Sequence, residues 1–177
     1  MKKYIAISAL ALLLTNSAFA NGTELEVGYQ RQQINFDEGG VSGDLRLAGP
    51  YVTFGYRVAF SDTTSGTFEG TYARAFDEDT LGIFIFDEAE SYGVGFRVTQ
   101  KLDDGWALFA RADYRQLDLR IQNFTGSDPE INESGFGLGA GVEWRGVSFG
   151  YSFFTGDLED YGALSIGYRF RFGSDKW

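Results

Sequence analysis

Polar and apolar residues alternate with a period of two along most of this chain. In residues 162–172, Leu164, Ile166, Tyr168 and Phe170 lie on one face, whereas small or basic side chains lie on the other. This alternation is typical of a β-strand with one apolar face. Seven further segments have the same pattern, so the sequence predicts eight strands. Their approximate limits are 23–35, 51–60, 67–76, 90–100, 106–115, 134–144, 147–153 and 162–172.

The predicted connections alternate in length. Residues 61–66, 101–105 and 145–146 form short connections, whereas 37–49, 77–89, 116–133 and 155–160 are mostly longer and acidic. Short turns at one end, long loops at the other and an even number of strands of about ten residues are typical of transmembrane β-barrels. The sequence therefore predicts an all-β fold, an eight-stranded antiparallel up-and-down transmembrane β-barrel.

The charged residues indicate which face of the barrel meets lipid. Six basic and five acidic residues fall on the polar faces, among Gly, Ser, Thr and Ala. They are Glu24 and Glu26, together with a predicted lumen charge network of Arg57, Glu69, Arg97, Arg111, Asp113, Arg115, Glu143, Arg169 and Arg171. Small neighbours leave room in a narrow barrel for guanidinium groups to reach carboxylates. We therefore expect the polar face to line the lumen.

Large aromatic residues support this orientation. Phe60, Phe68, Trp106, Trp144 and Phe172 fall on the apolar face at the short-turn end of their strands, where an interfacial aromatic girdle is expected. The alternative is a water-soluble barrel of the lipocalin type with its apolar face inside. Its exterior would then be unusually rich in Gly, Ser and Ala.

The first 20 residues are predicted to be a secretory signal peptide. Lys2 and Lys3 precede an apolar run that ends at Leu14, and residues 18–20 have the small-x-small form of a cleavage site. The apolar run is too short to span a bilayer as a helix, and no later stretch has 18 consecutive apolar residues. We expect residues 21–177 to form one barrel domain.

The amino-acid composition excludes several kinds of catalytic site and argues against one class of partner. The chain has no histidine and no cysteine, which excludes Ser-His-Asp triads, imidazole catalysis, thiolate chemistry and disulfides. Its formal net charge of −10 argues against a nucleic-acid partner. No catalytic residue, cofactor or metal site is predicted, and the protein is not expected to be an enzyme.

The last predicted strand resembles the assembly signal of small outer-membrane barrels. Ser165, Gly167, Phe170 and Phe172 match its polar-x-Gly-x-x-apolar-x-apolar spacing. With this signal and its eight segments, the chain resembles the OmpX/Ail and OmpA transmembrane-domain barrels over 21–172. That resemblance implies export to the cell outer membrane of a Gram-negative envelope and recognition by the barrel-assembly machinery. The chain continues to Trp177, but the register of alternation favours Phe172 as the recognised aromatic.

Three surface features are candidate contact sites. Arg31 and Arg74 have lipid-facing parity near the long-loop end, which suggests contact with lipopolysaccharide phosphates; the alternative is that both are exposed beyond the membrane. The acidic loops could bind divalent cations, but none matches a calcium-binding loop, so solvated loops are favoured. An apolar run, 81–86, begins at Leu81 and ends at Phe86. It could form a protruding sheet edge that binds a partner, or fold over the barrel mouth.

These expectations favour a non-enzymatic barrel that is structural or surface-interacting, with roles in adhesion or envelope integrity exerted through its acidic extracellular loops. A narrow, porin-like channel for small solutes is the alternative. An enzymatic barrel is disfavoured, because known enzymes with this shape resemble hydrolases or acyltransferases that depend on a histidine, and this chain has none.

Overall fold

The computed structural model describes residues 22–38, 41–76, 79–81, 84–122, 130–156 and 161–173. The predicted signal peptide, residues 1–20, and the C-terminal Trp177 lie outside the described residues. The division into a signal peptide and a barrel domain therefore stays a prediction.

The described residues form nine strands and one short helical turn. The strands are β1 (Gly22–Glu38), β2 (Val41–Ala59), β3 (Thr64–Ala75), β4 (Asp79–Leu81), β5 (Phe84–Lys101), β6 (Trp106–Gln122), β7 (Glu130–Trp144), β8 (Val147–Gly156) and β9 (Tyr161–Phe172). A single 3-10 turn, Asp103–Gly105, precedes β6. No helix in the described part of the chain has the length and apolar character needed to cross a membrane.

Eight of the strands close into a ring. Each is antiparallel to its neighbours in the order β3-β2-β1-β9-β8-β7-β6-β5, and pairing between β3 and β5 completes the circle. The predicted eight-stranded antiparallel barrel is therefore confirmed. The ninth strand, β4, continues β3 along the wall of the barrel, because Asp79–Leu81 pairs with residues 84–86 of β5 in nearly the register of β3 and also lies beside β2.

The short turns lie at the same rim as the start of β1 and the end of β9. Strands β7 and β8 are joined by Arg145 and Gly146, whose φ angles of 49° and 91° are both positive. Two-residue hairpins favour this geometry because it matches the twist of the flanking strands. Thr23 at the start of β1 pairs with Phe172 at the end of β9. We call this rim the short-turn end and the opposite rim the loop end.

The strands at the loop end are longer than predicted. Much of each predicted loop, 37–49, 77–89 and 116–133, belongs instead to β1, β2, β4, β5, β6 or β7. Strand β1 alone has 17 residues, which corresponds to ~56 Å at ~3.3 Å per residue. A strand of about ten residues crosses the apolar layer of an outer membrane. The longest strands must therefore project beyond it.

The polarity of the two faces reverses along these long strands. In the first part of β6, Leu108 and Tyr114 lie on the exposed outer face. Further along, Leu117 and Leu119 are inside the barrel and only 2% and 1% exposed, and Arg120 lies outside. The alternation is unbroken, but the apolar residues have moved from the outer face to the inner one.

Strands β1 and β2 show the same reversal. Val27 is exposed on the outer face and Glu26 is buried inside. Toward the loop end Ile34, Leu45 and Leu47 are buried inside, with at most 1% exposure. The barrel therefore has a lipid-type exterior near the short-turn end and the ordinary exterior of a water-soluble protein near the loop end.

Aromatic residues mark both limits of the apolar exterior. Near the short-turn end, Trp106 and Trp144 are exposed neighbours whose ring centroids lie 6.1 Å apart. Near the polarity reversal, the exposed Tyr72 donates a hydrogen bond to Glu90 at 3.1 Å, and Tyr92 donates one to Asp118. Tyrosine is favoured at membrane interfaces because its ring can lie in the apolar layer while its hydroxyl reaches polar groups.

Candidate functional site

A cluster of buried ions fills the half of the lumen near the short-turn end. Four arginines and four glutamates from six strands contribute to it, and we call this set the ionic cluster. Its members are Glu24 and Glu26 of β1, Arg57 of β2, Glu69 of β3, Arg97 of β5, Glu143 of β7, and Arg169 and Arg171 of β9. The equal numbers make the formal charge of this layer zero.

Arg169 is the centre of the ionic cluster. Its Nη1 donates to Glu24 at 2.6 Å and to Glu69 at 2.9 Å, and its Nη2 donates to Glu26. Its Nε also lies 3.9 Å from an Oε2 atom of Glu143. One guanidinium group thereby contacts carboxylates from three strands, because its donors form a planar fork that can serve several acceptors at once.

Two further arginines extend these contacts around the ring. Arg97 lies 3.0 Å from Glu143, 3.5 Å from Glu26 and 3.9 Å from Glu69. Arg171, which is partly exposed at the rim, lies 3.0 Å from Glu24 and 2.6 Å from Glu143. Every glutamate of the cluster is therefore shared by at least two arginines.

The carboxylates of β1 are more central than the sequence suggested. The sequence predicts both Glu24 and Glu26 on the polar face, but the predicted network does not include them. In the structure, Glu24 lies within salt-bridge distance of three arginines, Arg57, Arg169 and Arg171. Two neutral hydroxyl groups also donate hydrogen bonds to Glu26. One is that of Ser148, at 2.7 Å, and the other is the buried Tyr51 hydroxyl.

The other predicted charged residues, Arg111, Asp113 and Arg115, form a separate upper group, which lies nearer the loop end of the lumen. Arg115 donates to Asp113 Oδ2 through Nε at 3.1 Å and Nη2 at 3.0 Å, and its guanidinium lies over the Phe154 ring, 4.5 Å from the centroid. Arg111 donates to Ser152 Oγ through Nε at 2.9 Å and Nη2 at 2.6 Å. The nine predicted network residues are thus divided between two layers.

Glycines on β7 make room for this upper group. A Cβ atom at Gly137 would lie 2.3 Å from Asp113 Oδ1 and 2.3 Å from the Phe154 ring. At Gly139 it would lie 2.4 Å from Ser152 Oγ and 3.0 Å from Arg111 Nε. The glycine-rich stretch of β7 therefore serves the packing of large side chains from β6 and β8.

An apolar cluster closes the lumen toward the loop end, which the sequence analysis did not predict. Its members are Ile34, Leu45, Leu47, Ala75, Ala89, Leu117, Leu119, Phe154, Tyr161 and Ala163. Phe154 and Tyr161 stack with ring centroids 4.5 Å apart. Leu45 and Leu47 alternate with Asp44 and Arg46 along β2, so an alternation of opposite phase was the available signal.

The exterior arginines occupy different environments. Arg31 is exposed on β1 opposite Ala48, diagonal to the exposed Arg46 on β2. Arg74 lies 3.6 Å from Glu90 and over the Phe76 ring, 5.2 Å from its centroid. All three arginines are on the outer surface just beyond the apolar exterior, and Arg46 was not among the predicted residues.

The proposed assembly-signal residues lie on β9. Phe170 and Phe172 are exposed on the outer face, and the Ser165 hydroxyl donates to the Gly150 carbonyl at 3.3 Å. A Cβ at Gly167 would lie 2.3 Å from the Tyr51 hydroxyl, so this glycine also has a packing role. In the described ranges, no group of three or more acidic residues has an arrangement that could hold a metal ion.

A closed antiparallel barrel with an apolar exterior and an ionic interior defines a transmembrane β-barrel. No protein-family profile matches the sequence, and no curated protein matches it either. Similar solved structures do exist, and each has low sequence identity to this chain.

Three of these structures agree over most of both chains. Ail, the attachment invasion locus protein of Yersinia pestis, in complex with the heparin analogue sucrose octasulfate, has a TM-score of 0.61 at 16% identity, covering 85% of this chain and 99% of that one. Neisserial surface protein A has a TM-score of 0.62 at 16% identity, with coverages of 85% and 97%. The N-terminal barrel of Pseudomonas aeruginosa OprF has a TM-score of 0.52 at 13% identity, with coverages of 85% and 98%. This chain has the fold of the OmpX/Ail-like outer-membrane barrels.

Replacing Arg169 by Gln should destabilise the folded barrel by about 3–5 kcal/mol, because it leaves buried carboxylates without their shared cation. The free energy of unfolding can be measured by urea titration of the barrel in lipid vesicles. The matched control is Arg31→Gln, which removes the same charge from the exposed outer surface and should cost less than about 1 kcal/mol. Equal effects of the two substitutions would show that the ionic cluster contributes no more than a surface charge.

Proposed function

We propose that the protein is a non-enzymatic outer-membrane protein with a structural or surface-interacting role, in adhesion or envelope integrity, exerted through the part of the barrel that projects beyond the membrane. The observation that carries the proposal is the combination of a filled lumen with strands that continue past the apolar exterior. The membrane part anchors the protein, and the projecting part presents its acidic loops. The predicted signal peptide, residues 1–20, would direct residues 21–177 to the outer membrane.

The filled lumen disfavours a channel. The ionic cluster occupies the half near the short-turn end, and the apolar cluster occupies the half near the loop end. A solute would have to separate shared salt bridges in one layer and displace close-packed side chains in the other. Because the two clusters are held by different interactions, a substitution that weakens the ionic cluster leaves the apolar cluster in place, and the reverse also holds.

The projecting part offers a hairpin for a partner. The backbone of β4 pairs on one side with residues 84–86 of β5, so the run that begins at Leu81 and ends at Phe86 takes part in a short hairpin. The other side of β4 lies beside β2, so a partner would contact the projecting hairpin itself and would not add a strand to its edge. We assign surface interaction to this hairpin and the neighbouring acidic loops.

The exterior arginines are suited to the outer leaflet. Arg31, Arg46 and Arg74 lie just past the apolar exterior, at the level expected for the phosphates of lipopolysaccharide. Charge-assisted contacts from Arg31 and Arg74, extended by Arg46, would fix the depth of the barrel in the membrane. The residues Ser165, Gly167, Phe170 and Phe172 would serve earlier, as the signal read by the barrel-assembly machinery.

The purified protein is expected to show no stepwise conductance in planar lipid bilayers. A general porin inserted in the same bilayer provides the positive control for detection. Reproducible single-channel steps from the wild-type protein would instead support the porin-like alternative and contradict the filled lumen.

Replacing residues 81–86 by a Gly-Ser linker of equal length should abolish adhesion of expressing cells to surfaces or to one another, because it removes the hairpin at β4. The barrel should still fold, which its heat-modifiable electrophoretic mobility can verify. Replacing Asp62 and Thr63 in a turn at the opposite rim by Gly and Ser is the matched control. Unchanged adhesion in the hairpin variant would reject this surface as the site of interaction.

The double substitution Arg31→Gln and Arg46→Gln should weaken lipopolysaccharide binding by about tenfold or more, the effect expected for the loss of charged hydrogen bonds. Binding can be measured by titrating lipopolysaccharide into the detergent-solubilised barrel. Arg145→Asn, at the opposite rim, removes an exposed arginine at a positive φ that Asn tolerates. An identical loss in this control, or no loss in the double variant, would rule out a specific site.

A further inference from the structure

Positive charge is in excess in the upper group of lumen ions. The ionic cluster has four arginines and four glutamates, whereas the group above it has Arg111 and Arg115 with Asp113. Among the inward-facing side chains that the structure describes in these two groups, one arginine therefore has no balancing carboxylate. An uncompensated charge inside a membrane protein is costly unless another ion or a polar group offsets it.

Arg111 is the residue without a carboxylate. It pairs directly across the sheet with Arg97, and both face the lumen. Like charges at directly opposite positions repel. Arg97 is offset by three glutamates, whereas Arg111 donates only to Ser152, a neutral group. In the described part of the chain, no carboxylate lies within salt-bridge distance of Arg111.

Arg115 supplies a second, independent indication. It is 1% exposed, and its Nη1 has no hydrogen-bond partner among the described residues. Asp113 Oδ2 already accepts from its other two nitrogens, and Phe154 covers a face of the guanidinium. Buried donors of this kind normally have a partner.

There is space beside these groups. Arg111 and Asp113 are only half-buried although they face the lumen, with the ionic cluster on one side of them and the apolar cluster on the other. A particle of about the size of a water molecule can therefore adjoin them. Larger anions are excluded because both ends of the lumen are filled.

We propose that the lumen beside Arg111 and Arg115 binds a small monovalent anion, such as chloride. Arg111 and Arg115 Nη1 donate to it, and its single charge offsets the excess arginine. Water alone would satisfy the hydrogen bonds but would leave the charge uncompensated. The unpartnered Oδ1 of Asp113 requires a donor, which a water molecule accompanying the anion provides. This site is independent of the proposed surface role.

The direct test is to refold and crystallise the barrel in bromide and to locate the ion by anomalous scattering. A single peak in the lumen, within hydrogen-bonding reach of Arg111 and Arg115, is the expected result. Absence of any lumen peak in the wild-type protein overturns the proposal. Bromide only on exposed arginines also overturns it.

Two variants test the charge argument. Arg111→Gln removes the excess charge, and Ser152→Asp places a carboxylate where the Arg111 donors already point, so both should lose the bromide peak. They should also lose the dependence of the urea unfolding midpoint on replacing gluconate by chloride at constant ionic strength, which the wild type should show. Arg46→Gln is the control that removes an exposed arginine and should retain both. If Arg111→Gln fails to fold, Ser152→Asp decides, and a bromide peak or chloride dependence that persists in the folded variants contradicts the proposal.

Discussion

The structure depends on the absence of water in the bilayer core, which obliges every polar group at that depth to find its partner within the protein. The backbone meets this requirement by closing eight strands into a ring, with β3 against β5 and β1 against β9. The ionised side chains meet it by facing inward and forming salt bridges with several partners at once, as Arg169 does with Glu24, Glu26 and Glu69. The small residues between them are a consequence, because large side chains would keep the guanidinium groups from the carboxylates.

Where the strands leave the apolar layer, the same constraint no longer applies and the polarity of the barrel reverses. Leu117 and Leu119 enter the interior while Arg120 faces outward. One continuous strand thereby contributes to a membrane anchor with an ionic interior and to an exposed extension with an apolar core. The two interiors close the lumen by different interactions, which is why we regard the barrel as an anchor that presents a surface.

Much of the fold could be predicted from the sequence, because an alternation of period two is a local property that locates strands and separates their faces. The charges on one face then oriented the barrel. The strand extensions were missed because Leu45, Leu47, Leu117 and Leu119 continue the alternation in the opposite phase, which in isolation is indistinguishable from a polar loop with scattered apolar residues. The division of the charges into two layers could not be predicted from the sequence, since it depends on which guanidinium groups reach across the ring. The central position of Glu24 and Glu26 likewise depends on contacts between distant strands, and Arg169 and Ser148 lie more than a hundred positions away from them.

The reversal of polarity can be tested most directly by a spin-label scan along β6. The chain has no cysteine, so single cysteines can be introduced without removing native ones. Labels at Leu108, Ala110, Ala112 and Tyr114 should be accessible to oxygen dissolved in lipid, and labels at Gln116, Asp118 and Arg120 should be accessible to a water-soluble nickel complex. Labels at Leu117 and Leu119 should be shielded from both. Nickel access at the first four positions, or continued oxygen access at the next three, would contradict the account.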